Sequence, residues 1–154
     1  MFIISNYKDL ERNVGKELGV SEYLKITQNL IDRFADVTQD HQWIHVDKEK
    51  AKQESPYKAT IAHGYLILSL LPYLWTHILE VRNVKTMINY GIEKLKFNQP
   101  VIVNSEVRAR VKLLSVTNLR GTVKVEFKVV LEIKDSPKNA FEAPLIYLMS
   151  FDEQ

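Results

Sequence analysis

The sequence contains no cysteine, carries little net charge and has no long uninterrupted apolar run. Without cysteine the chain has no disulfide framework, no thiolate nucleophile and no cysteine-ligated zinc or iron–sulfur site. Its 21 Lys and Arg residues against 19 Asp and Glu leave a formal net charge of +2, too balanced for a protein that neutralises phosphate backbones. We therefore expect no nucleic-acid partner, and the missing cysteine fits a reducing, cytoplasmic location.

The sequence also lacks the features of an exported or membrane-spanning chain. Residues 1–8 have only a short apolar stretch, so we expect no signal peptide. Residues 59–79 contain no Asp, Glu, Lys or Arg, but His63, Ser69 and Pro72 interrupt them and leave a strongly apolar stretch of only about 11 residues. Such a stretch is typical of a buried core helix, and we expect a soluble protein with no membrane partner.

What the sequence does contain is enough apolar material for one domain. Its 154 residues are 45% apolar, so we predict a single domain over residues 1–154. Apolar residues follow Thr27, a suitable N-cap, at helical spacing, and this helix should end between residues 38 and 40. A short helix is predicted over residues 48–53, capped by Asp47. A long apolar helix is predicted from about residue 64 to 80, bent at Pro72.

The second half of the chain alternates apolar and polar residues, the pattern of strands with one buried face. Residues 106–113 and 123–133 both alternate, and residues 118–121 supply the turn of a long hairpin. The nearly continuous apolar run at 145–149 suits a central strand, and residues 92–97 predict a shorter one.

These elements predict an α+β architecture in which an antiparallel sheet wraps a long apolar helix. Such a helix must be enclosed, and the inner face of the sheet is the only large apolar surface available to it. A sheet of about four or five strands per chain leaves open edges, which a second copy of the chain would complete most easily. We therefore expect a homodimer.

The densest group of polar side chains lies between residues 40 and 45, where the first long helix should end. Asp40 and His45, five positions apart in a loop, can converge on one water molecule, because the carboxylate can accept a proton that the imidazole orients or relays near neutral pH. The spacing alone is weak evidence, because a solvated Asp40 at a helix end and a structural His45 are the more common arrangement.

A second group, His63-Gly64, opens the apolar helix. A glycine there leaves backbone N–H groups accessible at a helix N-terminus, where the positive end of the helix dipole suits a developing oxyanion. Alternatively, Gly64 only permits a tight turn with close packing. Ser69, further along the same helix, has the ordinary alternative role of a small residue that bonds the preceding turn.

Residues 34–47 and 61–69 together resemble the MaoC-like (R)-specific enoyl-CoA hydratases, particularly their nodulation-protein-N-like branch. In that family a motif of the form Asp-x-(Asn/Gln)-x-(Ile/Leu)-His carries the catalytic Asp and His. These positions fall on Asp40 and His45, with Gln42 at the amide position.

The remaining motifs extend the resemblance. The family's His-Gly pair falls on His63-Gly64 and its helix serine on Ser69, while the segment that begins at Asn89 is also similar to the family and would line an acyl tunnel. The substrate-binding residues that the resemblance implies are Gln42, His63, Ser69, Tyr90 and Gly91.

The resemblance implies a hot-dog fold, an antiparallel sheet around one long helix, assembled as a dimer. The implied reaction is reversible addition of water to a trans-2-enoyl-CoA, giving the (R)-3-hydroxyacyl-CoA, with acyl-CoA as substrate and neither a metal nor a separate cofactor. Asp40 would act as general base on the attacking water, and His45 would share the proton delivered to the α carbon. The Gly64 N–H would stabilise the thioester oxygen.

Two other functions fit the same fold. One is an acyl-CoA thioesterase that uses a carboxylate to activate water, and the other is a non-catalytic subunit that binds acyl-CoA or an acyl carrier. The basic residues available for CoA phosphates lie in the strand-rich half, although alternating charge on a strand usually indicates a solvated face. These residues are Lys94, Lys96, Arg108, Arg110 and Lys124.

Overall fold

The computed structural model describes residues 1–152. Its helices, in chain order, are α1 (Tyr7–Arg12), α2 (Gln28–Thr38), α3 (Trp43–Val46), α4 (Lys48–Glu54), α5 (Gly64–Ser69) and α6 (Leu71–Trp75). Its strands are β1 (Phe2–Ile4), β2 (Glu17–Val20), β3 (Leu24–Lys25), β4 (Leu79–Val81), β5 (Val84–Ile92), β6 (Lys96–Phe97), β7 (Glu106–Leu119), β8 (Thr122–Ile133) and β9 (Phe141–Phe151).

Two predicted caps begin the helices that lead to the site. The Thr27 hydroxyl accepts a hydrogen bond from the Leu30 N–H at 3.3 Å, and α2 then ends at Thr38, as predicted. The Asp47 carboxylate accepts from the Lys50 N–H at 2.9 Å at the start of α4. Both caps satisfy amide groups that the first turn of a helix leaves free.

Seven strands form one antiparallel sheet in the order β2-β7-β8-β9-β5, with β3 paired to β7 and β6 paired to β9. The predicted hairpin is confirmed, because β7 and β8 pair from Val107↔Ile133 to Leu119↔Thr122. The apolar run at 145–149 lies inside β9, between β8 and β5, as a central strand should. The strand count exceeds the predicted four or five partly because β3 and β6 have two residues each, too few for a periodic pattern.

One face of this sheet packs against α5 and α6. The Trp75 ring meets the Phe127 ring edge-on, with centroids 4.6 Å apart, and lies 5.5 Å from the Tyr147 ring. The opposite face of β7 and β8 carries charged side chains joined in ion pairs, such as Arg108 with Glu132 at 2.7 Å. An antiparallel sheet with one buried and one solvated face around an apolar helical segment confirms the predicted α+β architecture.

The apolar helix, predicted as one bent helix, is broken into two. Pro72 has no N–H to donate to the Leu68 carbonyl, and its ring would collide with that carbonyl in a continuous helix. The chain therefore ends α5 at Ser69 and begins again at Leu71, which places Pro72 in the first turn of α6, where its missing N–H is tolerated.

The helical segment is also shorter than predicted at its end. It stops at Trp75, and Glu80, predicted to end the helix, lies instead in β4, which pairs in parallel with β1. This pairing joins segments far apart in sequence, which no local pattern reveals. Within residues 1–152 no helix is both long enough and apolar enough to cross a membrane.

The strand predicted over residues 92–97 is wrong in its bounds. Lys94 adopts a φ of +48° and separates β5 from the short β6. Within the described chain β5 pairs only with β9, so it forms an open edge of the sheet. The pairing of β5 with β9 shifts register twice, between Val84 and Thr86 and between Asn89 and Gly91. Exposed apolar side chains on this edge strand are Ile88, Tyr90 and Ile92.

Candidate active site

Asp40 is placed by the way α2 ends. Gln39 adopts a left-handed conformation with φ of +60°, which stops the helix and turns the chain, and Asp40 follows directly. Its side chain is 54% exposed. Its Oδ1 accepts a long hydrogen bond of 3.4 Å from the Gln42 N–H. The carboxylate is therefore open to solvent and retains free acceptor positions.

His45 lies in the short helix α3, not in the loop that we expected. The side chain is buried, and its Nδ1 lies 2.7 Å from the Ile61 carbonyl oxygen. Ile61 in turn donates its N–H to the Ile44 carbonyl at 3.1 Å, so the two segments hold each other. A carbonyl only accepts, so Nδ1 carries the proton and Nε2 of the neutral ring keeps its lone pair.

The charge state of His45 follows from its surroundings. Burial lowers the pKa of the His45 imidazole below its ordinary value of 6.5. The hydrogen bond to Ile61 opposes this shift, while the neighbouring His63 ring adds to it and Asp40 opposes it. With burial dominant, the imidazole is uncharged at neutral pH and can accept a proton at Nε2.

His63 connects the other two side chains. Its Nε2 lies 3.0 Å from the Asp40 carbonyl oxygen and 4.0 Å from the Asp40 Oδ2. Its ring stacks on the His45 ring, with centroids 3.9 Å apart and an angle of 24° between the planes. The structure thus brings Asp40, His45 and His63 together, with potential ligand atoms all within 4.8 Å of one another.

These three side chains form the one group of metal-ligating residues in the part of the chain that the structure describes. Two stacked imidazoles direct their in-plane lone pairs side by side, whereas tetrahedral ligands converge on one ion. One nitrogen of each ring already faces a backbone carbonyl. The arrangement suits proton transfer better than metal binding, and the expectation of no metal stays a prediction.

Gly64 is the first residue of α5 and faces a pocket of about 340 Å³. His45 lines this pocket on one side and Phe97 on another. A Cβ atom on Gly64 would lie 2.8 Å from the Phe97 ring, so the glycine is required for space. The close-packing interpretation of Gly64 is therefore correct, and it coexists with a free amide, because the first N–H groups of a helix have no acceptor within it.

The other predicted substrate-binding residues are more dispersed. Gln42 is exposed at the start of α3, and Ser69 donates its hydroxyl to the Tyr65 carbonyl of its own helix at 2.7 Å. Tyr90 lies at a register shift in β5 and is 64% exposed. Gly91 lines a separate apolar pocket of about 80 Å³ against α6.

Sequence reasoning missed two polar residues that support His45. The Gln28 Nε2 donates to the His45 carbonyl at 2.8 Å, and its Oε1 accepts from the buried Thr60 hydroxyl at 2.5 Å. This bridge ties α2 to α3 and to the segment before Ile61. The position of Gln28 directly after the Thr27 cap was visible in the sequence, but its partners were not.

Three of the five basic residues considered for CoA phosphates are in ion pairs. Arg108 and Arg110 both bond Glu132 at 2.7 Å, and Arg110 also reaches Glu17 at 2.9 Å. Lys124 pairs with Glu126 at 2.8 Å. These cations belong to the solvated face of the sheet.

Residues 9–134 match the family described as the MaoC like domain. The chain belongs to this family. This MaoC-like domain is 44% identical over 139 residues to the 3-hydroxyacyl-thioester dehydratase Z of Mycobacterium tuberculosis, covering 90% of this chain and 91% of that protein. It is 40% identical over 147 residues to the Nodulation protein N of Rhizobium leguminosarum bv. viciae, covering 94% and 91%. The family predicted from the two motifs is confirmed.

Comparison with solved structures identifies the fold. An unliganded R-hydratase from Pseudomonas aeruginosa superposes on the MaoC-like domain with a TM-score of 0.70 at 21% identity, covering 91% of this chain and 83% of that one. The predicted hot-dog fold is confirmed, with the broken helix α5–α6 in the place of the long central helix.

Proposed function

We propose that the chain is an (R)-specific 2-enoyl-CoA hydratase, a hydro-lyase that adds water reversibly to a trans-2-enoyl-CoA. The observation that carries the proposal is the pairing of the open Asp40 carboxylate with a buried, neutral His45 whose Nδ1 faces a backbone carbonyl. Potential ligand atoms of the two side chains lie within 4.8 Å of each other, close enough for both side chains to contact one water molecule.

In this mechanism Asp40 accepts a proton from the attacking water as oxygen bonds to the β carbon. His45 holds the water through Nε2, and the pair returns one proton to the α carbon, so the enzyme ends in its starting state. The Gly64 N–H donates to the thioester oxygen as negative charge builds there, which is worth roughly 3 kcal/mol for one well-aimed donor. Gln42, Ser69, Tyr90 and Gly91 would contact the substrate.

The relatives support this class of reaction. The name of the mycobacterial relative assigns it dehydration of a 3-hydroxyacyl thioester, which is the reverse of hydration. We assign this class of activity to the present chain because it is 44% identical to that relative over 90% of its length. The family match over residues 9–134 includes Asp40, His45 and Gly64.

The test is hydration of crotonyl-CoA, followed as loss of the enoyl-thioester absorbance. We expect activity in the wild type and a loss of about 10²- to 10⁴-fold in Asp40→Asn, because the amide keeps the shape but cannot accept a proton. Asp36→Asn is the matched control, since Asp36 is an exposed carboxylate in the last turns of α2, the helix that Asp40 follows, and it bonds His41. Chiral chromatography of the product tests the (R) configuration.

Other results would redirect the assignment. Free thiol released from saturated acyl-CoA would favour the thioesterase. Binding of acyl-CoA without turnover of short or long enoyl chains would favour the non-catalytic subunit. Full activity in a folded Asp40→Asn variant would remove Asp40 from the mechanism.

The proposal includes assembly as a cytoplasmic homodimer with acyl-CoA as the only small-molecule partner. The edge strand β5 carries Ile88, Tyr90 and Ile92, and three exposed apolar side chains on a strand with one open edge are unfavourable in an isolated chain. A second copy that pairs along this edge would cover them.

A further inference from the structure

His63 is a buried histidine beside the site for which the mechanism has no task. Its side chain is 3% exposed, so little of the ring is open to a bound substrate. Its ring lies between the Phe34 ring, with centroids 5.1 Å apart, and the His45 ring at 3.9 Å. The substrate-binding role that the family resemblance implies stays a prediction, and the contacts that the structure shows for His63 are with protein groups.

The two stacked imidazoles have opposite tautomers. Nε2 of His63 faces the Asp40 carbonyl oxygen at 3.0 Å, and Nδ1 of His45 faces the Ile61 carbonyl oxygen at 2.7 Å. Since carbonyls only accept, each of these nitrogens carries a proton. His63 thus donates to the backbone of the residue whose carboxylate is the proposed base.

The placement of His63 lowers the stability of the fold. The Nδ1 of His63 is buried and has no hydrogen-bond partner in residues 1–152. An unpaired buried polar atom destabilises a protein, and an apolar ring of similar size would fill the space without that penalty. Residues that break a packing rule in this way are typical of functional sites.

Asp40 needs an anchor because little else holds it. It follows the last turn of α2, its side chain is more than half exposed, and its carboxylate receives only the long contact from Gln42 within the described residues. The hydrogen bond from His63 is the one short bond that connects Asp40 to the layer containing His45.

We propose that His63 is a positioning residue whose Nε2–H holds the Asp40 backbone while its ring stacks on His45, so that the two reacting groups keep one spacing. This inference rests on the proposed hydratase function. Misplacement of a reacting group by a fraction of an ångström lowers the rate of the chemical step more than it weakens substrate binding.

Two substitutions separate the hydrogen bond from the packing. His63→Phe keeps a ring between Phe34 and His45 but removes the donor, whereas His63→Gln keeps an N–H near the position of Nε2. We expect kcat for crotonyl-CoA to fall about tenfold or more in His63→Phe with KM within about twofold of wild type, and His63→Gln to recover most of the loss. Phe34→Leu, which alters packing on the other face of the ring, should keep kcat within about twofold.

Three kinetic results would overturn the proposal. They are a wild-type kcat in folded His63→Phe, an equal loss in His63→Gln, and a rise in KM in place of a fall in kcat. The last result would restore a role in substrate binding.

A measurement without turnover keeps the proposal testable if the wild type proves inactive or His63→Phe does not fold. Long-range ¹H–¹⁵N correlation spectra of the wild type distinguish the two imidazole tautomers. We expect His63 as the Nε2–H form and His45 as the Nδ1–H form. An Nδ1–H form of His63 would overturn the anchor itself. Absent hydration with the expected tautomers would overturn the proposed function, and with it the catalytic role of the anchor, but not the hydrogen bond from His63 to Asp40.

Discussion

A Cβ atom on Gly64 would lie 2.8 Å from the Phe97 ring, closer than two carbon atoms pack. The first residue of α5 and the short strand β6 are therefore in direct contact at the pocket that contains His45. We predict that Gly64→Ala forces the half-exposed Phe97 ring outward and lowers the free energy of unfolding by roughly 1–3 kcal/mol. Urea denaturation measures the change.

A double-mutant cycle isolates this contact. Leucine is smaller than phenylalanine at the position of the clash, so Gly64→Ala should destabilise the Phe97→Leu variant less than the wild type. We expect a coupling free energy of about 1 kcal/mol or more between the two substitutions. Additive losses would contradict the contact.

Burial of His45 predicts that stability falls in mild acid. The folded-state pKa lies below the ordinary value of 6.5, so between these two values the unfolded chain binds more protons than the folded one. Stability is complete above about pH 6.5 and is lost as the pH falls through the folded-state pKa. Between pH 7.5 and pH 5.5 the urea midpoint should fall less in His45→Gln than in the wild type, because the variant has no buried imidazole to protonate.

His41→Gln is the control for this pH dependence, because His41 is exposed and bonds only Asp36 within the described residues. The change in pH dependence should be larger in His45→Gln, which removes a buried imidazole, than in His41→Gln, which removes an exposed one. An identical loss in His45→Gln and wild type would show that other groups cause it.

The bridge formed by Gln28 predicts a coupled loss of stability. Gln28→Met leaves the buried Thr60 hydroxyl and the His45 carbonyl without their partner, which should cost about 1–3 kcal/mol. Combining it with Thr60→Val removes both ends of one hydrogen bond, so the double variant should lose less than the sum of the single variants. Urea denaturation of the four proteins tests the bond, and simple addition would argue against it.

The ion pairs on the outer face predict which basic residues do not bind CoA. Arg110 bonds Glu132 and Glu17, so Arg110→Gln should lower stability by about 0.5–1 kcal/mol and leave KM for crotonyl-CoA within about twofold. Lys96 is exposed next to Phe97 at the pocket, and Lys96→Gln should raise KM about two- to tenfold, with a smaller effect at high salt. A larger rise in KM for Arg110→Gln than for Lys96→Gln would place the CoA phosphates on the outer face of the sheet.

The edge strand predicts a variant that is monomeric. Tyr90→Asp places a charge on the open side of β5 and should dissociate the proposed dimer, as sedimentation velocity would show. Tyr57→Asp, at an exposed tyrosine between α4 and α5, should leave the assembly unchanged. A wild type that sediments as a monomer would contradict the assembly directly.

The sequence revealed features that depend on neighbours in the chain. Thr27 and Asp47 begin helices because their partners are three residues away, and the hairpin of β7 and β8 follows from alternation over adjacent segments. The motif spacing also predicted that Asp40 and His45 lie close together, as the structure shows, but it did not show that a helix carries His45.

Features that depend on distant segments were not visible. The acceptor of His45 is Ile61, and the supports of its backbone involve Gln28 and Thr60, which no periodicity relates. A distant segment also explains why α6 ends at Trp75, before the predicted residue 80. The residues that follow form β4, which pairs with β1 at the start of the chain.

The two register shifts of β5 give the open edge a selectivity that a straight strand lacks. A regular edge offers evenly spaced N–H and C=O groups to any extended chain and so promotes aggregation. The bulges near Val84 and Asn89 bend the strand and interrupt that spacing. An unrelated strand would pair over only a few residues between the two bends, whereas a strand with matching bends can follow the whole edge. The irregular edge thus discourages fibril growth, and in the proposed dimer it would favour a second molecule of the same sequence over an unrelated strand.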